Sequence, residues 1–224
     1  MFCIVSRGGV YAQRLFCKNS YGYPVPKVVD HAQRRRELVA ATWAVVAAEG
    51  IEAATVRRIA EEAGCTTGRI THYFADKEEV LVAALRQVHR AAGKRMLAAI
   101  GPRSGLAALR AVLAEALPLD QERILEWRVW LAFWGSAATS ASLQAEQHQR
   151  YREWRGLLKR VLTAAQHDGQ LPASIDLDRL VDQIVALVDG FGLQGVLDPQ
   201  HPQPEQLASR LNGAVDALIR AAEG

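Results

Sequence analysis

From residue 30 onward, apolar side chains return every three or four positions, the spacing that lays them along one face of an α-helix. No pair of segments shows the strict alternation expected of half-buried strands. Gly50 closes a first helix over 30–49, with Leu38, Val45 and Val46 facing inward. Asp76, with Glu79 three residues on, has the form of a capping box and opens a long helix over 76–99. Pro102, Pro118, Pro172 and the group Pro199, Pro202, Pro204 mark later breaks, predicting helices near 104–116, 121–138, 142–168, 176–197 and 205–222. Two short helices fit between residues 55 and 74. The pattern therefore predicts an all-α chain of about nine helices, with a three-helix N-terminal domain over 27–75 and a helical body over 76–224.

The short pair of helices carries the most specific signal. Val56, Ile59 and Ala60 repeat at helical spacing, Thr55 can cap the first helix, and Ala63-Gly64 supplies a bend that lets two helices cross. Thr66 or Thr67 can cap the second helix, whose Ile70 and Phe74 point inward and leave Thr67, Arg69, Thr71, His72 and Tyr73 outward or sideways. A short, polar, hydrogen-bonding helix face of this kind suits major-groove readout by a helix-turn-helix. The plainer alternative is a helical hairpin in some other all-helical domain, its polar groups merely solvated.

Gly64-Cys-Thr-Thr-Gly-Arg-Ile-Thr-His-Tyr-Phe-Ala-Asp-Lys-Glu-Glu-Val-Leu81 resembles the signature of the TetR family of one-component bacterial regulators. The resemblance implies a three-helix DNA-binding head and a helical, ligand-binding, dimerising body. Position by position, it implies that Thr55, Thr66, Thr67, Arg69, Thr71, His72, Tyr73 and Lys77 line double-stranded DNA. The commonest family pattern has tyrosine where this chain has Thr71, while serine or threonine before His-Tyr-Phe resembles the choline-responsive, BetI-like branch. Trp130-Leu-Ala-Phe-Trp-Gly-Ser136 and Leu187-Val-Asp-Gly190 resemble segments of the same branch, so the likeness covers roughly residues 27 to 222.

Charge modifies this picture. The formal net charge is +3, but residues 1–29 alone carry Arg7, Arg14, Lys18 and Lys27 with no acid. Residues 30–77 hold seven basic and seven acidic side chains, so DNA affinity must come from local placement of cations and helix ends rather than from net charge. Residues 1–26 show no helical period and read either as a disordered basic arm or as a start assigned too early, Val25 being encodable by a GTG start codon. Half the chain is hydrophobic, and no uninterrupted apolar run is long enough for a bilayer; the expectation is a soluble, cytoplasmic protein with no membrane partner. Cys3, Cys17 and Cys65, odd in number and without a Cys-x-x-Cys pair, fit a reducing compartment.

The last two helices carry Leu180, Ile184, Leu187 and Val188, then Leu207, Leu211, Val215 and Leu218, in continuous apolar stripes. These are the expected interface of a homodimer, pairing as a four-helix bundle so that two recognition helices read a palindrome; the alternative is burial within the same chain. Gly190-Phe-Gly-Leu-Gln-Gly195 matches G-x-G-x-x-G, but only 29 residues follow it, too few for a dinucleotide fold, so the glycines are assigned to close packing at the dimer seam or to loosening the helix end. No zinc-protease motif, nucleophile elbow or phosphate loop is present, and His31, His72, His89, His148, His167 and His201 have no ligand spacing. No enzyme, metal or cofactor is expected, a helical enzyme or adaptor on the same scaffold being the alternative.

The body holds an aromatic cluster. Trp127, Trp130 and Trp134 share one helix face, Phe133 is adjacent, and Tyr151, Trp154 and Phe191 come from helices that should pack nearby. Such rings either fill a helical core or wall an effector pocket, where they would suit a quaternary ammonium through cation-π attraction, with Glu126 or Asp189 as counter-charge, or a lipophilic compound. The sequence thus predicts a ligand-responsive, DNA-binding repressor.

Overall fold

The computed structural model describes residues 30–198, 200 and 203–223, so the reading of residues 1–26 lies outside the described residues. Among the described residues there are nine helices: α1 His31–Glu49, α2 Val56–Glu62, α3 Thr67–Tyr73, α4 Lys77–Ile100, α5 Gly105–Ala116, α6 Gln121–Ala137, α7 Ala141–His167, α8 Leu177–Leu197 and α9 Pro204–Glu223. Each boundary lies within about two residues of the sequence expectation, because caps, glycines and prolines set the ends.

Local chemistry explains the starts. Asp30 accepts from Gln33 N at 2.9 Å, Thr55 from Arg58 N at 3.1 Å and Asp76 from Glu79 N at 2.8 Å. Glu79 reaches back to the Ala75 amide at 2.8 Å, one residue earlier than the standard capping box. Between α2 and α3, Gly64 sits at φ +60, a left-handed conformation that closes the turn while Cys65 N donates to the Ala60 carbonyl.

Helices α1, α2 and α3 make the head, with Leu38, Val45, Val46, Ile59, Ile70 and Phe74 in its core. Helix α4 begins at the foot of the head, packs on α1, and continues into the body, where it contacts α5, α6 and α7. One apolar core runs through head and body alike.

Helix α8 is the most apolar of the long helices among the described residues, although charged residues interrupt it. Despite Asp182 and Asp189, its mean hydropathy reaches 1.4, and by length and composition alone it could cross a membrane. Here it packs against α6, α7 and α9.

The stripes on α8 and α9 require a correction. Leu180, Ile184, Val188, Leu207, Leu211 and Val215 are all buried within the protomer, so these six side chains stabilise their own bundle and are not available to a symmetry mate. Leu187 and Leu218 are half-buried at its margin. The reason is register: the most continuous apolar stripe belongs to the deepest contact, and α8 and α9 find theirs in each other and in the helices beneath.

The glycines of α8 are corrected in the same sense. A Cβ at Gly192 would lie 1.9 Å from the Trp127 ring, and one at Gly195 would lie 2.8 Å from Pro118, so both allow close packing inside the protomer. The G-x-G-x-x-G match lies within a continuous helix, without the strand-turn-helix context of a dinucleotide site.

Candidate functional site

Helix α3 presents one polar face. Ile70 and Phe74 anchor it, while Thr66, Thr67, Arg69, Thr71 and His72 are exposed, with Thr55 at the start of α2 exposed on the same domain. Thr55 already spends its hydroxyl on capping, whereas Thr66 caps α3 by position only and makes no side-chain hydrogen bond there. Thr71 Oγ1 donates to the Gly68 carbonyl at 3.2 Å. Tyr73 is half-buried, its hydroxyl 3.2 Å from His31 Nδ1 and its ring edge-on to His72. Lys77, half-buried, opens α4 beside this face. The eight positions thus lie along α3 and the two helix starts that flank it.

The arginine run at the start of α1 is committed elsewhere. Arg34 pairs with Glu37 at 2.7 Å, Arg36 with Asp30 at 3.8 Å, and Arg35 with Glu79 at 3.4 Å while its guanidinium covers the Phe74 ring. Arg69 and Lys77 form no ion pair among the described residues, so their charge is free to meet a polyanion.

In the body, a cavity of about 120 Å³ lies between α4, α6, α7 and α8, lined in part by Trp127, Trp130 and Trp154. The other four aromatic residues expected there are elsewhere. Phe133 is in the core, Phe191 packs half-buried against it, Trp134 donates its indole N–H to the Gln147 oxygen at 2.8 Å, and the Tyr151 hydroxyl donates to Asp189 Oδ2 at 2.7 Å. The rings of Trp134 and Tyr151 support the wall from behind, because their polar ends are tied to partners on neighbouring helices.

Of the two suggested counter-charges, Asp189 lines the cavity and Glu126 does not. Glu126 is buried and held in a bidentate pair by Arg95 at 2.7 and 2.6 Å. Burial pushes its carboxyl up and Arg95 opposes this; the fork geometry supports the ionised, paired form. Burial likewise pushes the Asp189 carboxyl up, against the Tyr151 hydroxyl and the nearby Arg150 charge. Burial, then Asp189, holds the Tyr151 hydroxyl well above its ordinary range, so it remains a donor.

Sequence reasoning missed His89, Met96 and Arg150 as lining residues. A signal existed: His89, Ala92, Gly93 and Met96 fall at i, i+3, i+4 and i+7 on α4, and Arg150, Trp154 and Leu157 at i, i+4 and i+7 on α7. A charged residue on an otherwise aromatic helix face reads as solvated until a second helix closes over it.

With this geometry in view, likeness to known proteins is informative. Residues 38–84 match the family described as bacterial regulatory proteins, tetR family, and residues 105–220 match BetI-type transcriptional repressor, C-terminal. The chain is 32% identical over 196 residues to the HTH-type transcriptional regulator PksA of Bacillus subtilis, covering 87% of this chain and 94% of that one. It is 30% identical to the HTH-type transcriptional regulator BetI of Paraburkholderia phymatum, covering 87% and 97%. A transcriptional regulator from Saccharomonospora viridis, solved in complex with choline, shares the fold with a TM-score of 0.77 at 23% identity, covering 84% and 98%. The helix-turn-helix head, the all-helical body and these matches together make the chain a member of the TetR family, a DNA-binding transcriptional regulator of the repressor type with a BetI-type C-terminal domain.

Proposed function

We propose that the protein is a homodimeric repressor that binds a palindromic operator through α3 and releases it when a small effector occupies the cavity in the body. The observation that carries this reading is the continuity of α4: the helix that starts at Lys77 beside the α3 face also contributes His89, Ala92, Gly93 and Met96 to the cavity. A ligand that fits the cavity differently in two positions of α4 shifts the head between them, by no more than its differential affinity. Two α3 helices about 34 Å apart would fit successive major grooves, and a change in that separation would end repression.

The dimer, on this reading, forms through the outer faces of α8 and α9 and not through the buried stripes. Ala186, Gly190, Leu193 and Leu197 follow one another at spacings of four, three and four along α8; Leu193 and Leu197 are exposed large hydrophobics, and Gly213, Ala217 and Ala221 give α9 a small-residue face. Small residues let paired helices approach closely while the two leucines supply apolar area.

The test is fluorescence anisotropy of the purified protein with the DNA upstream of its own gene and a scrambled control, over a salt series. Expected are tight, salt-dependent, sequence-selective binding and a ligand that weakens it about 5- to 150-fold, with DNA weakening ligand binding by the same factor. Ligand and DNA binding without mutual antagonism would overturn the switch. The regulator solved with choline makes that cation one ligand to compare with others of its shape.

A further inference from the structure

The cavity has a charge distribution that a purely aromatic pocket lacks. Arg150 lines it with its guanidinium carbon 4.4 Å from the Trp130 ring centroid, and forms no ion pair with any described carboxylate. With the Gln147 amide turned so that its oxygen faces the donors around it, that oxygen accepts from Arg150 Nη1 at 3.0 Å, which leaves most of the five guanidinium N–H donors uncommitted. Beside it, His89 and Trp130 also line the cavity with ring centroids 6.3 Å apart, and His89 Nε2 and Trp130 Nε1 are buried without partners. The two carboxylates in the wall also meet neutral partners: Asp189 accepts from the Tyr151 hydroxyl at 2.7 Å and Glu153 from the Gln149 amide at 2.7 Å, and neither forms an ion pair among the described residues. Among the groups in the wall, Arg150 is the one with the most unused hydrogen-bonding capacity.

We propose that the cavity takes a small ligand bearing a carboxylate, which pairs with the Arg150 guanidinium. Asp189 lies near Arg150 but forms no ion pair with it, and a ligand oxyanion reaching the guanidinium would add the short, charge-assisted bonds that the wall does not supply. The same geometry disfavours a lone cation at Trp130, since Arg150 already covers the ring face that a quaternary ammonium would use and repels a like charge. Burial first, and then the charges of Arg150 and Arg90, push His89 down to about 2, so it adds no second positive charge at neutral pH. The cavity measures about 120 Å³, against the roughly 150 Å³ of a cavity that accommodates benzene, which points to a small ligand. The inference rests on the cavity being the effector site.

Three probes of nearly one shape test it: 3,3-dimethylbutanoate, choline and 3,3-dimethylbutan-1-ol, titrated into the full chain and followed by tryptophan fluorescence. The carboxylate is expected to bind at least about tenfold more tightly than the neutral alcohol, and choline no better than the alcohol. Arg150→Gln should erase the carboxylate's advantage and Arg150→Lys should keep part of it; if Arg150→Gln does not fold, the ranking by the native protein still decides. Choline or the alcohol matching the carboxylate would overturn the assignment of charge and leave the effector cavity standing. No binding by any of the three would overturn both.

Discussion

His89 shows how far one residue can couple the cavity to solution conditions. Its ring is held neutral down to about pH 2 in the folded protein, chiefly by burial, whereas in the unfolded chain it takes up a proton near 6.5. Below that value the unfolded state binds the extra proton and the native state does not. The stabilising contribution is therefore complete above pH 6.5 and is lost as pH falls, at a slope approaching 1.4 kcal/mol per pH unit. Urea unfolding at pH 7.5, 6.5 and 5.5 should show this extra acid lability in the native protein and a flatter profile in His89→Gln; equal slopes would mean that His89 is hydrated and titrates freely. Such residues are the least legible in sequence. His89 lies among the hydrophobic and basic residues of α4, and its burial depends on α6 and α7, whose approach no local pattern encodes.

At the level of the element, the proposed DNA-facing surface is shared between α3 and the start of α4. Arg69 is exposed on the helix face with no ion pair among the described residues, while Lys77 sits at the start of the next helix. Arg69→Ala should relax preference among operator variants by about 1–3 kcal/mol, and Lys77→Ala should weaken all DNAs alike and reduce the salt slope by about one per protomer. Competition assays across operator variants at several salt concentrations separate the two; a uniform loss from Arg69→Ala would reassign it to the backbone. Helix starts and stops were legible because they follow from caps and breakers that act within four residues, as at Thr55, Gly64 and Asp76. The partner of each apolar stripe was not. Periodicity says that Leu180, Ile184 and Leu211 face something apolar, and the same spacing serves an intramolecular core and an intermolecular seam.

For the whole molecule, the proposed dimer rests on the outer faces of α8 and α9. Replacing Leu193 by Glu places a charge on an exposed position of α8 without entering the protomer core, so the fold and its helicity should persist. Light scattering after gel filtration should find the native chain at twice its 24.6 kDa and Leu193→Glu shifted toward monomer, with operator affinity falling by much more than tenfold as paired half-sites are lost. A monomeric native protein at micromolar concentration would refute the two-site arrangement.

Helix α4 has 24 residues, which at 1.5 Å each gives a lever of about 36 Å. A tilt of about 5° about its far end would carry Lys77 through roughly 3 Å, close to the 3.4 Å rise of one base step. A displacement at the cavity too small to unseat any core side chain would therefore reach the DNA as a phase error of nearly one base pair per half-site. On the proposed switch, an effector would have no need to block the reading head or unfold it; it would need only to set the two heads to a ruler with the wrong spacing.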